Sequence, residues 1–204
     1  MAGKYIEFIN PGYSTLYTRD LQYKASSAGS YGESSSINVF DPDSANPLVE
    51  GEWLQYTANN KLSRVDSGLS VAAAAGANVS TVACALHFQE KGRYDAQITK
   101  KAHVVSGPNG FDFKTKLCLV DSSVTAGTRL FVADFAVGSD LKRGLYDAAS
   151  LQASAAHTTF AVATAAGTIE DAEYYWSPGY VQRYIGTGEV VVHFDPQLIL
   201  CINT

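Results

Sequence analysis

Charged residues are sparse in this chain: they make up 17% of its 204 residues, and the formal net charge is −5. Binding to nucleic acid needs a clustered basic face that neutralises phosphates. The one basic cluster, between Lys91 and Lys101, is preceded by Glu90 and interrupted by Asp95. We therefore expect no nucleic-acid partner and interpret this stretch as a solvated hairpin edge. Low charge with abundant small residues also fits a surface that other chains partly cover.

Cysteine is scarce as well, and its spacing excludes a disulfide framework. The chain has three cysteines, Cys84, Cys118 and Cys201, far apart and without a CxxC pair. Cys84 and Cys118 lie within apolar runs, where a free cysteine acts as a small core residue. This use of cysteine favours synthesis in a reducing cytosol.

Long hydrophobic runs are missing too. The uncharged stretch 67–89 is built largely from Ala, Ser, Gly, Thr and Asn, which makes it too polar for a transmembrane helix. Residues 1–20 contain charged side chains and no apolar centre, so we expect no secretory signal. The sequence therefore predicts no membrane partner.

Motifs of catalysis and cofactor binding are absent from the sequence. There is no GxSxG elbow, Walker loop or dinucleotide fingerprint, and no HxH or HExxH spacing. The four histidines lie in separate segments, at His87, His103, His157 and His193. We expect no enzyme activity, no catalytic residue, no cofactor and no metal site.

The patterns that are present predict strands. Residues 111–117 alternate apolar and polar side chains at a period of two, which is typical of a half-exposed strand. Residues 180–185 and 189–194 flank Gly186-Thr187-Gly188, a glycine-rich turn that predicts a hairpin. Such segments recur without a long helix between them, which indicates an all-β fold with a compact β-barrel or β-sandwich body.

A short stretch that occurs twice gives this body its internal order. In residues 50–56 and again in residues 126–132, a Gly precedes a bulky run by two residues, and a polar turn and a second strand follow. We interpret the two copies as corresponding hairpins of one barrel-like body. In the first copy, Trp53 is predicted to be a core anchor.

Residues 1–47 differ from the rest and are predicted to form an extended N-terminal arm. Their segment 25–36 is rich in Ser, Gly and Ala and cannot bury enough apolar surface to fold alone. Aromatic residues give an arm a large contact area at low entropic cost. We predict that the arm binds a partner through Tyr5, Phe8, Tyr13, Tyr17, Tyr23 and Tyr31. The body spans residues 48–195, and residues 196–204 form a short apolar tail that could pair with a strand or reach a neighbour.

The order of several segments resembles the capsid decoration (cement) proteins of tailed bacteriophages. The segments are Glu50–Leu54, Asn59–Leu62, Phe88–Gln97, Thr125–Val132, Leu141–Leu145 and Gly188–Phe194. The resemblance implies a small β-barrel on the capsid lattice that locks neighbouring major capsid protein subunits together. It also implies a homo-oligomer, with a trimer favoured, on the capsid surface of a virion assembled in a bacterial host cytoplasm.

Two other functions remain open at the level of the sequence. A head-fibre base, tail or adaptor subunit of a virion would show similar strands, arms and low charge. A carbohydrate-binding or hydrolytic β-domain would use the aromatic run Tyr174, Tyr175 and Trp176 as a stacking platform, with Asp171 and Glu173 as candidate carboxylates for hydrolysis.

Overall fold

The structure is a computed structural model, and it describes just over half of the chain. The described residues are 5–10, 16–20, 49–56, 62–64, 79–80, 83–87, 101–105, 110–137, 140–153, 160–162, 172–186 and 188–203. All structural statements below refer to these ranges.

The described strands form two sheets, and a single short helix accompanies them. The eight-stranded sheet contains, in spatial order, β1 (Ile6–Asn10), β7 (Asp112–Thr115), β13 (Glu189–Asn203), β12 (Ala172–Gly186), β9 (Arg129–Val137), β10 (Asp140–Asp147) and β8 (Cys118–Leu119), and β11 (Phe160–Val162) also pairs with β13. The five-stranded sheet has the order β2 (Leu16–Asp20), β6 (Lys101–Val105), β5 (Cys84–His87), β3 (Trp53–Tyr56) and β4 (Leu62–Arg64). The helix α1 spans Ala148–Ala153.

The prediction of an all-β fold is confirmed, and of the two predicted forms of the body, barrel or sandwich, a closed barrel is not found among the described strands. The described strands form two separate sheets and do not close on themselves. The repeated stretch also falls on both sheets, because β3 and β4 form a hairpin in the smaller sheet and β9 and β10 form one in the larger sheet. The two copies are therefore corresponding hairpins of two sheets that share one core.

Trp53 joins the two sheets. It lies on β3 of the smaller sheet and is fully buried, which confirms its predicted role as a core anchor. Its ring is 5.9 Å from Phe113, 5.7 Å from Trp176 and 6.4 Å from Phe194, measured between centroids. These three partners belong to β7, β12 and β13 of the larger sheet, so one side chain contacts three neighbouring strands of the facing layer.

The larger sheet is buried on its other side by a second cluster. Phe131 and Tyr175 alternate with neighbours that face the shared core, and they pack with Leu151 of α1. Asp147 caps the start of this helix, because its carboxylate accepts hydrogen bonds from the backbone N–H groups of Ala149 and Ser150 at 3.1 and 3.4 Å. This end of the larger sheet is thereby covered on the side opposite the smaller sheet.

The repeated stretch has the same turn in both copies. In the first copy, the N–H of Glu52 donates to the carbonyl of Val49 at 3.2 Å, and the N–H of Val49 donates to the Glu52 carboxylate at 3.3 Å. In the second copy, the N–H of Thr128 donates to the carbonyl of Thr125 at 3.1 Å, and the N–H of Thr125 donates to the Thr128 hydroxyl at 3.3 Å. Each turn is thus closed by one backbone and one side-chain hydrogen bond.

The glycine in each turn also connects it to a neighbouring strand. Gly51 has φ 95° and Gly127 has φ 91°, in the left-handed region that favours glycine. The N–H of Gly51 donates to the carbonyl of His87 at 2.8 Å, and the N–H of Gly127 donates to the carbonyl of Val181 at 2.8 Å. In return, the N–H of His87 donates to the carbonyl of Glu52 at 2.8 Å, and the N–H of Val181 donates to the carbonyl of Thr128 at 2.9 Å. Two turn residues therefore oppose one strand residue, as in a β-bulge with a leading glycine.

The predicted arm is corrected at two places, because β1 and β2 are strands of the body. β1 pairs with β7 from Ile6 opposite Thr115 to Asn10 opposite Asp112, and β2 pairs with β6. Ile6 is 2% exposed and belongs to the shared core. At these strands the chain is not an extended arm, and the remainder of residues 1–47 lies outside the described residues.

The predicted hairpin around Gly186 to Gly188 is confirmed, and it is longer than the sequence indicated. Gly186 of β12 pairs with Glu189 of β13, and the pairing continues to Ala172 opposite Ile202. One of the three register shifts in this ladder lies between Ser177 and Gly179, where Pro178 has no N–H to donate. The predicted tail is therefore the end of β13, which also pairs with β11.

The two turns allow a test by matched alanine substitutions. We expect Gly127→Ala to lower the free energy of unfolding by about 1–2 kcal/mol, the cost of a left-handed backbone for an L-residue. Gly51→Ala should cost more, because its added Cβ would lie 3.3 Å from side-chain atoms of Tyr5 and Ile6, whereas nothing lies within 4 Å at Gly127. Urea denaturation measures both, and Gly186→Ala, where the space is open and φ is not left-handed, is the control. Equal losses at Gly51 and Gly127 would contradict the packing.

A second pair of substitutions tests whether β1 belongs to the body. Ile6→Ala should lower the free energy of unfolding by about 2–5 kcal/mol, the usual cost of truncating a buried isoleucine. Ile9→Ala on the same strand is the control, because Ile9 is 48% exposed and should change stability by about 0.5 kcal/mol or less. If thermal denaturation finds both variants as stable as the parent, β1 is an arm after all.

Candidate functional site

The predicted partner-binding aromatics do not form one surface among the described residues. Tyr5 is half-buried, and its carbonyl accepts a hydrogen bond from the N–H of Lys116 at 2.8 Å. Phe8 packs against the shared core, with its ring 5.8 Å from that of Phe111. Tyr17 lies on β2 opposite Val104. The other predicted positions, Tyr13, Tyr23 and Tyr31, lie outside the described residues.

The predicted aromatic platform is split between the two sides of β12. Tyr175 is fully buried in the cluster beside α1, so it does not share a surface with its neighbours. Trp176 points to the opposite side and is 6% exposed within the shared core. Of the three, Tyr174 is exposed, at 58%. The run therefore does not present three rings to a ligand.

The far end of the β12–β13 hairpin has an exposed apolar side, which we call the ribbon face. It consists of the residues on the Trp176 side of the two strands: Tyr174, Trp176, Leu198, Leu200 and Ile202. Tyr174 pairs with Leu200 and Trp176 pairs with Leu198, and directly opposed residues lie on the same side of a sheet. Leu198 is 57% exposed, like Tyr174. Sequence patterning missed this surface because Leu198 belongs to the predicted tail.

The ribbon face is exposed where the second layer ends. Trp176 still contacts Trp53 of the smaller sheet, with ring centroids 5.7 Å apart. Two residues further along β12, Tyr174 is already more than half exposed. The opposite side of the same strands is covered by the cluster of Tyr175 and Cys201. The hairpin thus extends beyond the smaller sheet with one side covered and the other open.

A second surface, on the other half of the larger sheet, is polar. We call it the outer polar network, and it contains Asp112, Arg129, Tyr180, Gln182, His193, Asp195 and Gln197. The Asp112 carboxylate lies 2.6 Å from Nδ1 of His193 and accepts a hydrogen bond from the Gln182 amide at 3.0 Å. These contacts connect β7 to β12 and β13.

The same network lies at the register shift between the two halves of the hairpin. The guanidinium of Arg129 donates to the Asp195 carboxylate at 2.6 Å and to the Asp195 carbonyl at 2.8 Å, and it lies 5.5 Å from the centre of the Tyr180 ring. Burial by itself would raise the pKa of Asp195, but hydrogen bonds from Arg129 and Gln197, and the nearby charges, hold this pKa below its usual value. The donors to this carboxylate come from the chain itself, which favours a structural role.

An ion-pair cluster links β1 to β7 and β13. The Lys114 ammonium is 2.8 Å from the Glu7 carboxylate and 3.6 Å from that of Glu189. The hydrogen bond to Glu7 raises the pKa of Lys114, and the charges of Glu7 and Glu189 add to the effect. A small open pocket beside it is lined by Tyr5, Ile6, Glu7, Lys114, Lys116 and Glu189. Because Lys114 is already paired with two carboxylates, it offers little attraction to a further anion.

The three cysteines lie in the core, and burial makes them poor nucleophiles. All three are free thiols and buried, as predicted for Cys84 and Cys118. Burial raises the pKa of each thiol to about 12. Since the thiolate is the reactive form, these side chains are unsuited to covalent catalysis.

The described ranges contain no candidate metal site and no candidate membrane helix. No group of three or more His, Cys, Asp or Glu side chains is placed there so that it could hold a metal ion. No helix of the described chain is long and apolar enough to cross a bilayer.

The Arg129–Asp195 pair predicts a specific dependence of stability on pH. A carboxylate with a lowered pKa contributes stability above its unfolded value of 3.8, and this contribution is lost as the pH falls through the lower folded value. We expect Asp195→Asn to lower the free energy of unfolding by about 1 kcal/mol at pH 7 and to have little effect near about pH 2. A double-mutant cycle with Arg129→Gln, measured by denaturation at both pH values, isolates the coupling. A coupling that persists in acid would refute the assignment.

Comparisons with protein-family models, with curated proteins and with solved structures found no match for this chain.

Proposed function

We propose that this protein is a non-enzymatic virion structural protein that binds the outside of a bacteriophage capsid and stabilises the shell by bridging major capsid protein subunits. The observation that carries the proposal is the ribbon face, an exposed apolar surface on well-paired strands. Tyr174 and Leu198 are 58% and 57% exposed on this face. Contiguous exposed apolar surface of this kind marks sites that another protein covers.

The physical gain from covering this face is large enough to matter in an assembly. Burying a leucine side chain is worth about 1.5–3 kcal/mol, and a tyrosine contributes further apolar area. On a lattice, several such contacts act together, because each contact raises the effective concentration for the next. A subunit with modest affinity per site can therefore stabilise a shell when many copies bind.

The shared core of the described body suits such a bridging role. The two sheets share one core, and both copies of the repeated turn are closed by the same set of hydrogen bonds. The order of segments that resembles decoration proteins includes both turns. A pre-ordered body loses less entropy on binding than a flexible one, which favours attachment to a rigid lattice.

A tail, head-fibre base or adaptor subunit of a virion is the second candidate. The ribbon face favours it as well, because any of these subunits must be covered by neighbours. Imaging of the native particle separates the two functions. Many copies over the shell support decoration, whereas a ring at one vertex or density along a tail supports the second candidate.

Addition of the purified protein to particles that lack it tests the proposal. We expect it to bind the shell and to raise the temperature at which the particles release their contents. Leu198→Ser should weaken binding about 10-fold or more, since it removes about 1.5–3 kcal/mol of apolar burial.

Ile185→Ser is the matched control for this experiment, because Ile185 is 43% exposed on the same hairpin but lies outside the ribbon face. It should bind like the parent protein. Particles that neither bind the protein nor gain resistance would refute the decoration function.

A further inference from the structure

The outer polar network contains two carboxylates, and only one of them is balanced by a cation. Asp195 lies 2.6 Å from the guanidinium of Arg129. Asp112 is held instead by the Gln182 amide and the His193 imidazole. No lysine or arginine of the described residues forms an ion pair with Asp112. Its side chain is 14% exposed, so a mostly buried negative charge lies at the surface of the sheet without a basic partner.

The basic residues of the same side of the sheet do not compensate this charge. Lys114, two positions along β7, is paired with Glu7 at 2.8 Å and with Glu189 at 3.6 Å. Arg129 is three strands away, because Asp112 is opposite His193 on β13, which is opposite Tyr180 on β12, which is opposite Arg129 on β9. Three strand spacings amount to about 14 Å, which is more than the screening length of about 8 Å at physiological ionic strength.

The chemistry of the hydrogen bonds fixes which way the groups around Asp112 point. A carboxylate accepts, so Gln182 presents its NH2 group to it and His193 presents its Nδ1–H. Oε1 of Gln182 and Nε2 of His193 are left as acceptors, without a hydrogen-bond partner among the described residues. Gln182 is exposed, and in the described part of the chain Trp53 has the one side-chain polar atom that is both buried and unpaired. Both acceptors therefore reach solvent.

This arrangement selects a positively charged hydrogen-bond donor. An anion would be repelled by Asp112, and a neutral hydroxyl group would satisfy the acceptors but leave the charge unbalanced. A guanidinium group carries a charge and several N–H donors, has no acceptor, and stacks on aromatic rings. The Tyr180 ring lies 5.1 Å from that of His193, and the guanidinium of Arg129 already lies 5.5 Å from the centre of the Tyr180 ring.

We propose that Asp112, Tyr180, Gln182 and His193, which we call the acceptor cluster, bind an arginine side chain of a partner protein. The cluster lies on the side of the larger sheet that faces away from the shared core, because Val181 and Val192, the neighbours of Tyr180 and His193, point into that core. It is therefore separate from the ribbon face. The inference goes beyond the proposed function and does not need it, since any protein that presents an arginine would fit.

Titration of the full-length protein with arginine amide, followed by NMR of the histidine rings, tests the site. The titration is made at about pH 8, where few protons compete with the ligand for Nε2. We expect a saturable shift of the His193 signals with a dissociation constant on the order of 1 mM, as suits a single side chain. The signals of His87, which is 1% exposed, should not move.

Two further ligands decide what the cluster recognises. Citrulline amide has nearly the shape of arginine amide but no side-chain charge, so we expect no saturable shift with it. Maltotriose offers neutral hydroxyl groups and should give none either. A parent protein that does not respond to arginine amide, that responds equally to citrulline amide, or that binds maltotriose at His193 would overturn the inference.

A pair of substitutions locates the charge. Asp112→Asn keeps the shape of the side chain and removes its charge, so it should raise the dissociation constant for arginine amide by about 10-fold or more. Asp121→Asn removes an exposed carboxylate outside the network and should bind like the parent protein. Unchanged binding by Asp112→Asn would refute the assignment. If thermal denaturation shows that this variant does not fold, the comparison of arginine amide with citrulline amide on the parent protein still decides.

Discussion

The contact of Trp53 with the larger sheet is the interaction on which the two-layer arrangement depends. The indole is fully buried against Phe113, Trp176 and Phe194. Its N–H is the one buried side-chain polar group of the described residues without a hydrogen-bond partner. Leaving such a group unpaired costs about 1–3 kcal/mol. Burying about 200 Å² of aromatic surface gains about 5 kcal/mol, so apolar packing outweighs the missing hydrogen bond.

The repeated turns explain how this contact is reached from local sequence. The last residue of each turn directly precedes a strand, so the glycine in the turn fixes where β3 and β9 start. The sequence predicted these two starts, the hairpin at Gly186 and the burial of Trp53, because each depends on neighbours a few residues away. The glycine, the polar turn and the bulky run all lie within a single short stretch of sequence.

The remaining features could not be predicted because they depend on residues far apart in the chain. Nothing in the pattern of Ile6 shows that it lies in the core, since its partner Thr115 is on a strand more than a hundred positions away. Ser80 is a similar case. Its N–H donates to the carbonyl of Val132 and its carbonyl accepts from Trp176, both at 2.9 Å, so it joins β9 to β12 where those strands diverge. The outer polar network also depends on residues far apart in the chain, because Asp112 and His193 lie on different strands and are in contact only in the folded sheet.

The ribbon face follows from the same contact that organises the core. The inner half of the β12–β13 hairpin carries Val181, Val190 and Val192 into the shared core. The pairing shifts near Pro178 and Pro196, and Arg129 donates to Asp195 beside this shift. Beyond Trp176 the strands run past the layer that contains Trp53, and on that side Tyr174 is more than half exposed. The far half of the hairpin still contributes Trp176 to the shared core and Tyr175 and Cys201 to the second cluster. Tyr174 and Leu198 are its large exposed side chains. Under the proposed function, a covering protein surface would remove these two side chains from water and so stabilise the complex.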